Sequence, residues 1–564
     1  MPGTGPIASI TAIPVLDAAR SRPAGCGSRL HATFLAAFAL GVSLLSACST
    51  VMPGADYQRI ASVALVHPQD TRLGQHFAAL AVGHPGQSGF RIISSGVDGF
   101  LMRVQMINAA ERTLDLQYYI FRGDQTGRLL TDALVRAAAR GVRVRVLVDD
   151  ADTVPGDSQL AALDGRPDIE IRVFNPFRYR GHFLLLRALE FAFNANRLDY
   201  RMHNKLLVVD NSIALVGGRN IGNQYFQMDP VSQLADDDVF SAGPIVTQLS
   251  ATFDEYWNSR FAIPARALEH GTLRPGELAT HHTRWHQRKE LQTLASPGVD
   301  YTAKIASGEP YGGTISGQLP LVWAVAEVVS DSPEKKLVGK RQRGGRLMER
   351  AVAAAAGEVH TEMLMITPYL IPSPDEMRLL AGMRSRGVAI SILTNSLTSA
   401  DELLPQSGYM HYRVPLLAEG VKLYELRARL GNTRGSGQTK RISRFGNYSL
   451  HAKQFIFDRQ SVFYGSMNFD QRSRHLNTEI GLIIDSPELA AEAVARFQAM
   501  IAPENAYAVR LVAPAAGTSG GKGHLVWDTV EGGKSVEYDR EPARSAGQRL
   551  AVRLLSLISV DSEL

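Results

Sequence analysis

The sequence predicts an α/β fold made of two similar halves in tandem, related by a pseudo-twofold, with a functional cleft at their interface. Three observations carry this. The stretch His203-Asn204-Lys205-Leu206-Leu207-Val208-Val209-Asp210 has the pattern His-x-Lys-x4-Asp, and it returns as His451-Ala452-Lys453-Gln454-Phe455-Ile456-Phe457-Asp458. Each copy is followed at the same distance by a small-residue turn ending in Asn, Gly217-Gly218-Arg219-Asn220 and Gly465-Ser466-Met467-Asn468. A strand, a helix and a strand upstream of the first copy recur upstream of the second.

The chain opens on a targeting segment, residues 1–48. Arg20, Arg22, Arg29 and His31 precede an apolar run over 32–45, too short to span a bilayer comfortably. It ends in Leu45-Ser46-Ala47-Cys48, which resembles the lipobox of bacterial lipoproteins. That resemblance implies acylation of Cys48 and a lipoprotein held on a membrane of the cell envelope, facing the periplasm. Ser49 after the Cys favours the outer membrane. An uncleaved anchor helix is the alternative. The other cysteine, Cys26, would leave with the segment, so no cysteine-based metal site is expected.

The mature chain is long enough for two domains. The reading is 49–290 for the first, 291–345 for a connecting segment, and 346–564 for the second with a C-terminal extension. Residues 114–121 alternate as a strand. Leu129, Leu130, Leu134 and Ala137 have helical spacing within 126–140, and Gly141 ends that helix before a strand over 142–148. In the second half, 363–369 is a strand, 375–386 a helix, Gly387 its stop and 388–393 the next strand. Tyr119/Tyr369, Gly141/Gly387 and His203/His451 are each separated by roughly 250 residues, the mark of a duplication. Strand, helix, strand order implies right-handed crossovers and largely parallel pairing.

Composition restricts function only weakly. Hydrophobic residues make up 45% and charged residues 20%, and the formal charge is +5. A mildly basic surface suits anionic lipid or nucleic acid without choosing between them. After the first 48 residues no long apolar segment recurs.

His and Lys at i and i+2 of a strand share a face. Two such pairs, brought together across a pseudo-twofold, make a cleft suited to a phosphodiester. The Lys205 and Lys453 ammonium groups, with Asn220, Asn468 and Ser466, hold the non-bridging oxygens and neutralise charge in the transition state. One imidazole attacks phosphorus. The other protonates the departing alkoxide, then deprotonates the incoming hydroxyl. No metal and no cofactor is called for. Asp210 and Asp458 complete the catalytic motifs, although each falls where a strand enters a turn, a position that gives Asp a structural job. A nucleophilic His needs its other ring nitrogen held by a carboxylate. Glu479 is one candidate, and Asp236 and Asp238 are others. Asp238 is favoured because Asp238-Val239 aligns with Glu479-Ile480.

The paired signature resembles the phospholipase D superfamily. More narrowly, Arg201-Met202-His203-Asn204-Lys205, Val216-Gly217-Gly218-Arg219-Asn220-Ile221-Gly222 and Phe174-Asn175-Pro176-Phe177 resemble bacterial cardiolipin synthases of the C type, as do Trp527-Asp528-Thr529 and Glu541-Pro542. The likeness runs from about residue 90 to the C-terminus. It implies two phospholipase D-like α/β sandwich domains. It also implies transfer of a phosphatidyl group between alcohols, making cardiolipin from phosphatidylglycerol. The superfamily pattern makes His203 the nucleophile and His451 the acid/base. Phospholipid is then the partner, and nucleic acid is not expected. A hydrolase using water, a nuclease of the same superfamily, and a non-catalytic lipoprotein scaffold are the competing functions. Retention of every reactive position in both motifs weighs against the last.

Three further stretches invite a reading. Asp149-Asp150-Ala151-Asp152 follows a strand and suggests Mg²⁺ or a cleft-lining loop. His281, His282 and His286 suggest a metal site, or a solvated helix. Residues 183–193 are unusually apolar beside Arg178, Arg180, Arg187 and Arg197, and suit either a core helix or one that dips into lipid.

Overall fold

The structure, a computed structural model, describes residues 52–54, 56–151, 163, 166, 168–180, 184–229, 231–268, 320–335, 347–428, 447–513 and 523–557. The 1–48 segment with Cys48, the His281, His282 and His286 trio, and Asp152 lie outside these residues.

The first half contributes β1 (Ser88–Ile93), β2 (Thr113–Tyr118), β3 (Arg143–Asp149), β4 (Ile169–Phe174), β5 (Arg201–Met202), β6 (Lys205–Val209), β7 (Ile213–Gly217), β8 (Ser232–Ala235), β9 (Asp238–Ala242) and β10 (Ala262–Pro264). A strand from the connecting region, β11 (Val322–Ser330), follows. The second half supplies β12 (Glu362–Ile366), β13 (Ala389–Asn395), β14 (Lys422–Leu426), β15 (Asn447–Leu450), β16 (Gln454–Phe457), β17 (Ser461–Gly465), β18 (Asn477–Thr478), β19 (Ile480–Asp485), β20 (Ala506–Val512), β21 (His524–Glu531) and β22 (Lys534–Tyr538).

The first sheet runs β10-β4-β3-β2-β6-β7-β9-β1, and the second runs β19-β17-β16-β12-β13-β14-β20-β21-β22. β11 pairs with β1 through Val322–Ala324 and with β19 from Val325 on, so both sheets share it. Within these two sheets pairing is parallel across β2-β3-β4 and β12-β13-β14 and antiparallel elsewhere. The β6–β7 and β16–β17 hairpins pair antiparallel, so each sheet is mixed rather than largely parallel. The reason is local. Asp210 and Asn211, and Asp458 and Arg459, take positive φ in succession, which reverses the chain within a tight turn.

The repeated strand, helix, strand units form where periodicity and caps place them. Asp124 caps the helix Gln125–Ala139 by accepting from Gly127 N. Ser373 and Glu376 form a capping box on Pro374–Ser385. Gly141 and Gly387 end these helices at φ +86° and +89°, a region where a Cβ is disfavoured.

Three apolar cores fill the layers. One packs helices onto the outer face of the first sheet, with Leu101, Leu116 and Leu134 buried. A second does the same in the other half, with Met365, Leu380 and Ile392. The third lies between the sheets and draws on both halves, from Leu206, Val208 and Val216 to Ile456, Tyr464 and Leu482. Each buried Leu or Ile contributes roughly 1.5–3 kcal/mol. This shared core therefore binds the halves into one body.

Candidate active site

Each His-x-Lys motif sits at a break between two strands. β5 ends at Met202 and β6 starts at Lys205, leaving His203 in the gap; β15 ends at Leu450 and β16 starts at Gln454, leaving His451 and Lys453 in the gap. The histidines are thus not strand residues. Each Lys ammonium turns back to donate to the carbonyl of its own His.

The breaks are held by two short parallel pairs that cross between the halves. β5 pairs with β18, placing Met202 opposite Thr478. β8 pairs with β15, placing Ala235 opposite Leu450. The next residue on each strand brings an acid to a histidine. His203 Nδ1 lies 2.9 Å from Glu479 Oε2, and His451 Nδ1 lies 2.6 Å from Asp236 Oδ2. Asp236 is held ionised and only accepts, so His451 Nδ1 carries a proton and its Nε2 keeps its lone pair; an ionised Glu479 would do the same for His203. Every imidazole is therefore oriented by the opposite half.

This corrects the choice of Asp238. Both guanidinium-bearing residues Arg103 and Arg219 bind Asp238 in the core, at 2.8 Å and 2.9 Å. The ladder shows the offset: Gly217 pairs with Asp238, while its counterpart Gly465 pairs with Gly481. Asp236 is therefore the true counterpart of Glu479. Gly218 has a reason here as well, since a Cβ on it would come within 2.1 Å of Asp236 Oδ1.

Ser466, the counterpart of Gly218, does not face a phosphate. Its hydroxyl donates to Glu479 Oε2 and accepts from Ile480 N. It positions the acid that positions His203. Asn220 is buried, with its amide donating to Tyr225 Oη at 2.9 Å and its oxygen accepting from Ile120 N. Asn468 is also buried, and its Oδ1 has no hydrogen-bond partner among the described residues.

Asp210 and Asp458 lie at the far ends of β6 and β16, roughly 16 Å along the strand from the lysines. Asp210 accepts from Glu111, Arg112 and Thr113 N at 2.7–2.8 Å. Asp458 accepts from His360, Thr361 and Glu362 N at 2.8–2.9 Å. Each carboxylate fastens a hairpin turn to the start of the neighbouring strand. Neither reaches the histidines, so their grouping with the catalytic residues is corrected to a structural one.

Residues that the motif did not reveal complete the site. The Tyr119 ring meets His203 edge-on at 4.9 Å, and Tyr225 meets His451 at 5.2 Å. Behind Glu479, its backbone N–H donates to Asp331, which is held by buried Lys335 at 2.7 Å. Sequence did not separate Asp236 from Asp238, because a two-residue offset keeps strand parity and alternation does not expose it.

Asp149 and Asp150 are engaged by protein groups. Asp149 accepts from Met202 N at 2.8 Å and from Arg201, and Asp150 accepts from Phe177 N. Asp149 thereby orients the strand that leads into His203. Among the described residues no cluster of His, Cys, Asp and Glu is arranged to hold a metal.

Burial dominates the electrostatics. It pushes His203 well below the usual imidazole range, and Lys205, Lys453 and Arg472 add to this. Burial and Lys453 push His451 down to about 4, against the opposing pull of Asp236 and, more weakly, Asp401. Both lysines are lowered by burial. Burial alone would raise Asp236; His451, Lys453 and Arg219 outweigh it and keep the carboxylate ionised. Lys205 and Lys453 thus act on His203, and Lys453 on His451, a set of repulsions that an anionic phosphate would relieve.

The family model for the "Cardiolipin synthase, PLD-like domain" matches residues 104–257 and 353–501. A cardiolipin synthase C of Escherichia coli (strain K12) is 37% identical over 497 residues, covering 87% of this chain and 99% of that protein. The chain belongs to the phospholipase D-like cardiolipin synthase family. Cardiolipin synthase A of Proteus mirabilis is a more distant member, 26% identical and covering 68% of this chain and 63% of its own length. A crystal structure of phosphatidylserine synthase from Haemophilus influenzae gives a TM-score of 0.49 at 13% identity, covering 77% of this chain and 91% of that one. The two matched stretches of the phospholipase D-like family model each contain one His-x-Lys motif and one of the crossed carboxylates.

Proposed function

We propose that the chain is a phosphatidyltransferase that exchanges phospholipid headgroups through a phosphohistidine, making cardiolipin and glycerol from two phosphatidylglycerols. The observation that carries this is the reciprocal pairing of His203 with Glu479 and His451 with Asp236. It leaves two Nε2 atoms, each free of the carboxylate, for one phosphorus.

His203 Nε2 attacks phosphorus, and the bond to the headgroup oxygen breaks. His451, protonated once the anionic phosphate occupies the cleft, gives its Nε2 proton to the departing alkoxide. The hydroxyl of a second phosphatidylglycerol then loses its proton to His451 and attacks the phosphohistidine, and the N–P bond breaks. Lys205 and Lys453 neutralise the non-bridging oxygens. The amide N–H groups of Asn468 would donate to those oxygens, while Asn220, bound to Tyr225 and Ile120, holds the turn beside them. Acylated Cys48 would hold the enzyme on a membrane of the cell envelope.

The test is purified protein with labelled phosphatidylglycerol vesicles and analysis of the lipids formed. Cardiolipin with equimolar glycerol is expected. Phosphatidic acid as the sole product would replace the transferase with a hydrolase.

A further inference from the structure

The helical segment Leu184–Leu198 kinks at Asn194 and leads into the first motif; its part before the kink carries an apolar stripe. Leu185, Leu186, Leu189 and Phe193 recur at three- and four-residue spacing, and all are between 44 and 72% exposed. They form one apolar stripe that the fold leaves uncovered. The core-helix reading of this stretch therefore does not hold. A second uncovered stripe lies at the C-terminal end of the described chain. On the helix Ala546–Leu555, Val552 faces inward. Leu550, Leu554 and, just past the helix, Leu557 face outward at i, i+4 and i+7, and are 56–81% exposed. Exposed Arg553 borders the stripe, and Arg544 and Arg540 stand exposed before it.

Each helix is tied to one catalytic histidine. Leu184–Leu198 ends beside Asp199, whose carboxylate holds Arg472 at 2.7 Å, and the charge of Arg472 reaches His203. The Ala546–Leu555 helix packs on Leu403–Tyr409, and Gln548 donates to Leu397 O at 2.8 Å nearby. Leu403–Tyr409 starts just after Asp401, whose charge reaches His451. Leu404, on that same short helix, is also exposed. Each stripe is therefore carried by a helix whose neighbouring residues approach one of the two histidines.

We propose that these two stripes dock on the surface of an anionic phospholipid bilayer and bring the cleft down onto it. Helices of 15 and 10 residues are shorter than the roughly 20 needed to cross hydrocarbon, so they lie in the interface with leucines among the acyl chains. The exposed arginines beside the second stripe match lipid phosphates in charge. Exposed apolar side chains grouped in this way mark an interaction surface. The choice of an anionic lipid rests on the transferase reading, whereas the surface itself does not.

The test uses the full chain with Cys26→Ser and Cys48→Ser, and a single new cysteine at Leu185, Leu554 or, as control, Lys534. Each is labelled with an environment-sensitive fluorophore and mixed with phosphatidylglycerol vesicles carrying a shallow spin-labelled lipid. Flotation with the vesicles is expected, with quenching at Leu185→Cys and Leu554→Cys well above that at Lys534→Cys. Quenching at either position no greater than the control overturns the proposal. So does a spectral shift that follows protein concentration without lipid, which marks an interface between copies of the chain. The unlabelled Leu185→Asp/Leu554→Asp variant should lose about tenfold or more of its turnover on vesicles. It should keep wild-type turnover on a short-chain, monomeric phosphatidylglycerol. Quenching without any phosphatidyl transfer would overturn the functional reading and leave the docking surface standing; transfer without quenching would do the reverse.

Discussion

The Asp236 carboxylate and the His451 imidazole meet at 2.6 Å although 215 residues separate them. The partnership is completed by its mirror, Glu479 with His203 across 276 residues. Asp236→Asn is expected to lower kcat by about 10²–10⁴-fold while the fold persists. Asp238→Asn strikes the Arg103 and Arg219 network instead. It should lower Tm yet keep the activity of the folded fraction. Turnover normalised to near-ultraviolet circular dichroism separates the two.

The histidines should fail in different ways. His203→Ala should form no phosphoenzyme. His451→Ala should form it from a donor with a good leaving group and then stall, because nothing deprotonates the acceptor. Alkaline quench is the measurement, since phosphoramidates are labile in acid. A phosphoenzyme in His203→Ala would reverse the assignment.

A nucleophilic imidazole must be neutral, and burial, with Lys205 and Lys453 behind it, holds His203 well below 6.5. The acid limb of kcat/KM reports the free enzyme and should therefore lie below pH 6.5. Activity should persist at pH values where an ordinary histidine is half protonated. Lys205→Met removes one repelling charge. Its remaining activity should show that limb moved to higher pH.

Asp458 offers a stability test. Burial pushes its carboxyl up, but the N–H groups of Glu362, His360 and Thr361 outweigh this and hold it at about 2. A depressed carboxyl contributes stability above its ordinary value of 3.8, and that contribution is lost as pH falls toward 2. Asp458→Ala should cost roughly 1–2 kcal/mol at neutral pH, a loss like that of a helix cap. Asp458→Asn, which tolerates the left-handed turn, should cost less. Neither should abolish phosphoenzyme formation, and urea melts beside a trapping assay would decide.

In the proposed mechanism the two lysines take the place that a divalent ion fills in other phosphodiester chemistry. Lys453→Ala should lose at least about 10² in kcat, and added Mg²⁺ should not restore it. EDTA should leave the wild-type rate unchanged.

Much of this molecule was legible because duplication repeats its signals. Gly141 and Gly387 stop equivalent helices, and the two His-x-Lys-x4-Asp copies announce a paired site. What stayed hidden was long-range. The crossing of Glu479 to His203 depends on β5 pairing with β18 rather than with its own half, and no local pattern encodes that choice. The register of Asp236 over Asp238 was lost because both share strand parity. Strand β11 was hidden by the polar, Gly-rich stretch before it, though its run of Val and Ala, broken by Glu327, was present. The turn position of each motif Asp hinted at a structural job, and the three N–H groups that converge on each copy supply it.

The crossed carboxylates also order events in time. A ribosome releases His203 long before it reaches Glu479, and Asp236 waits equally for His451. Until the second half folds onto the first, neither imidazole is oriented and the lysines face no common phosphorus. On the proposed mechanism a nascent chain should therefore leave the lipids around it untouched until its second half has folded onto the first.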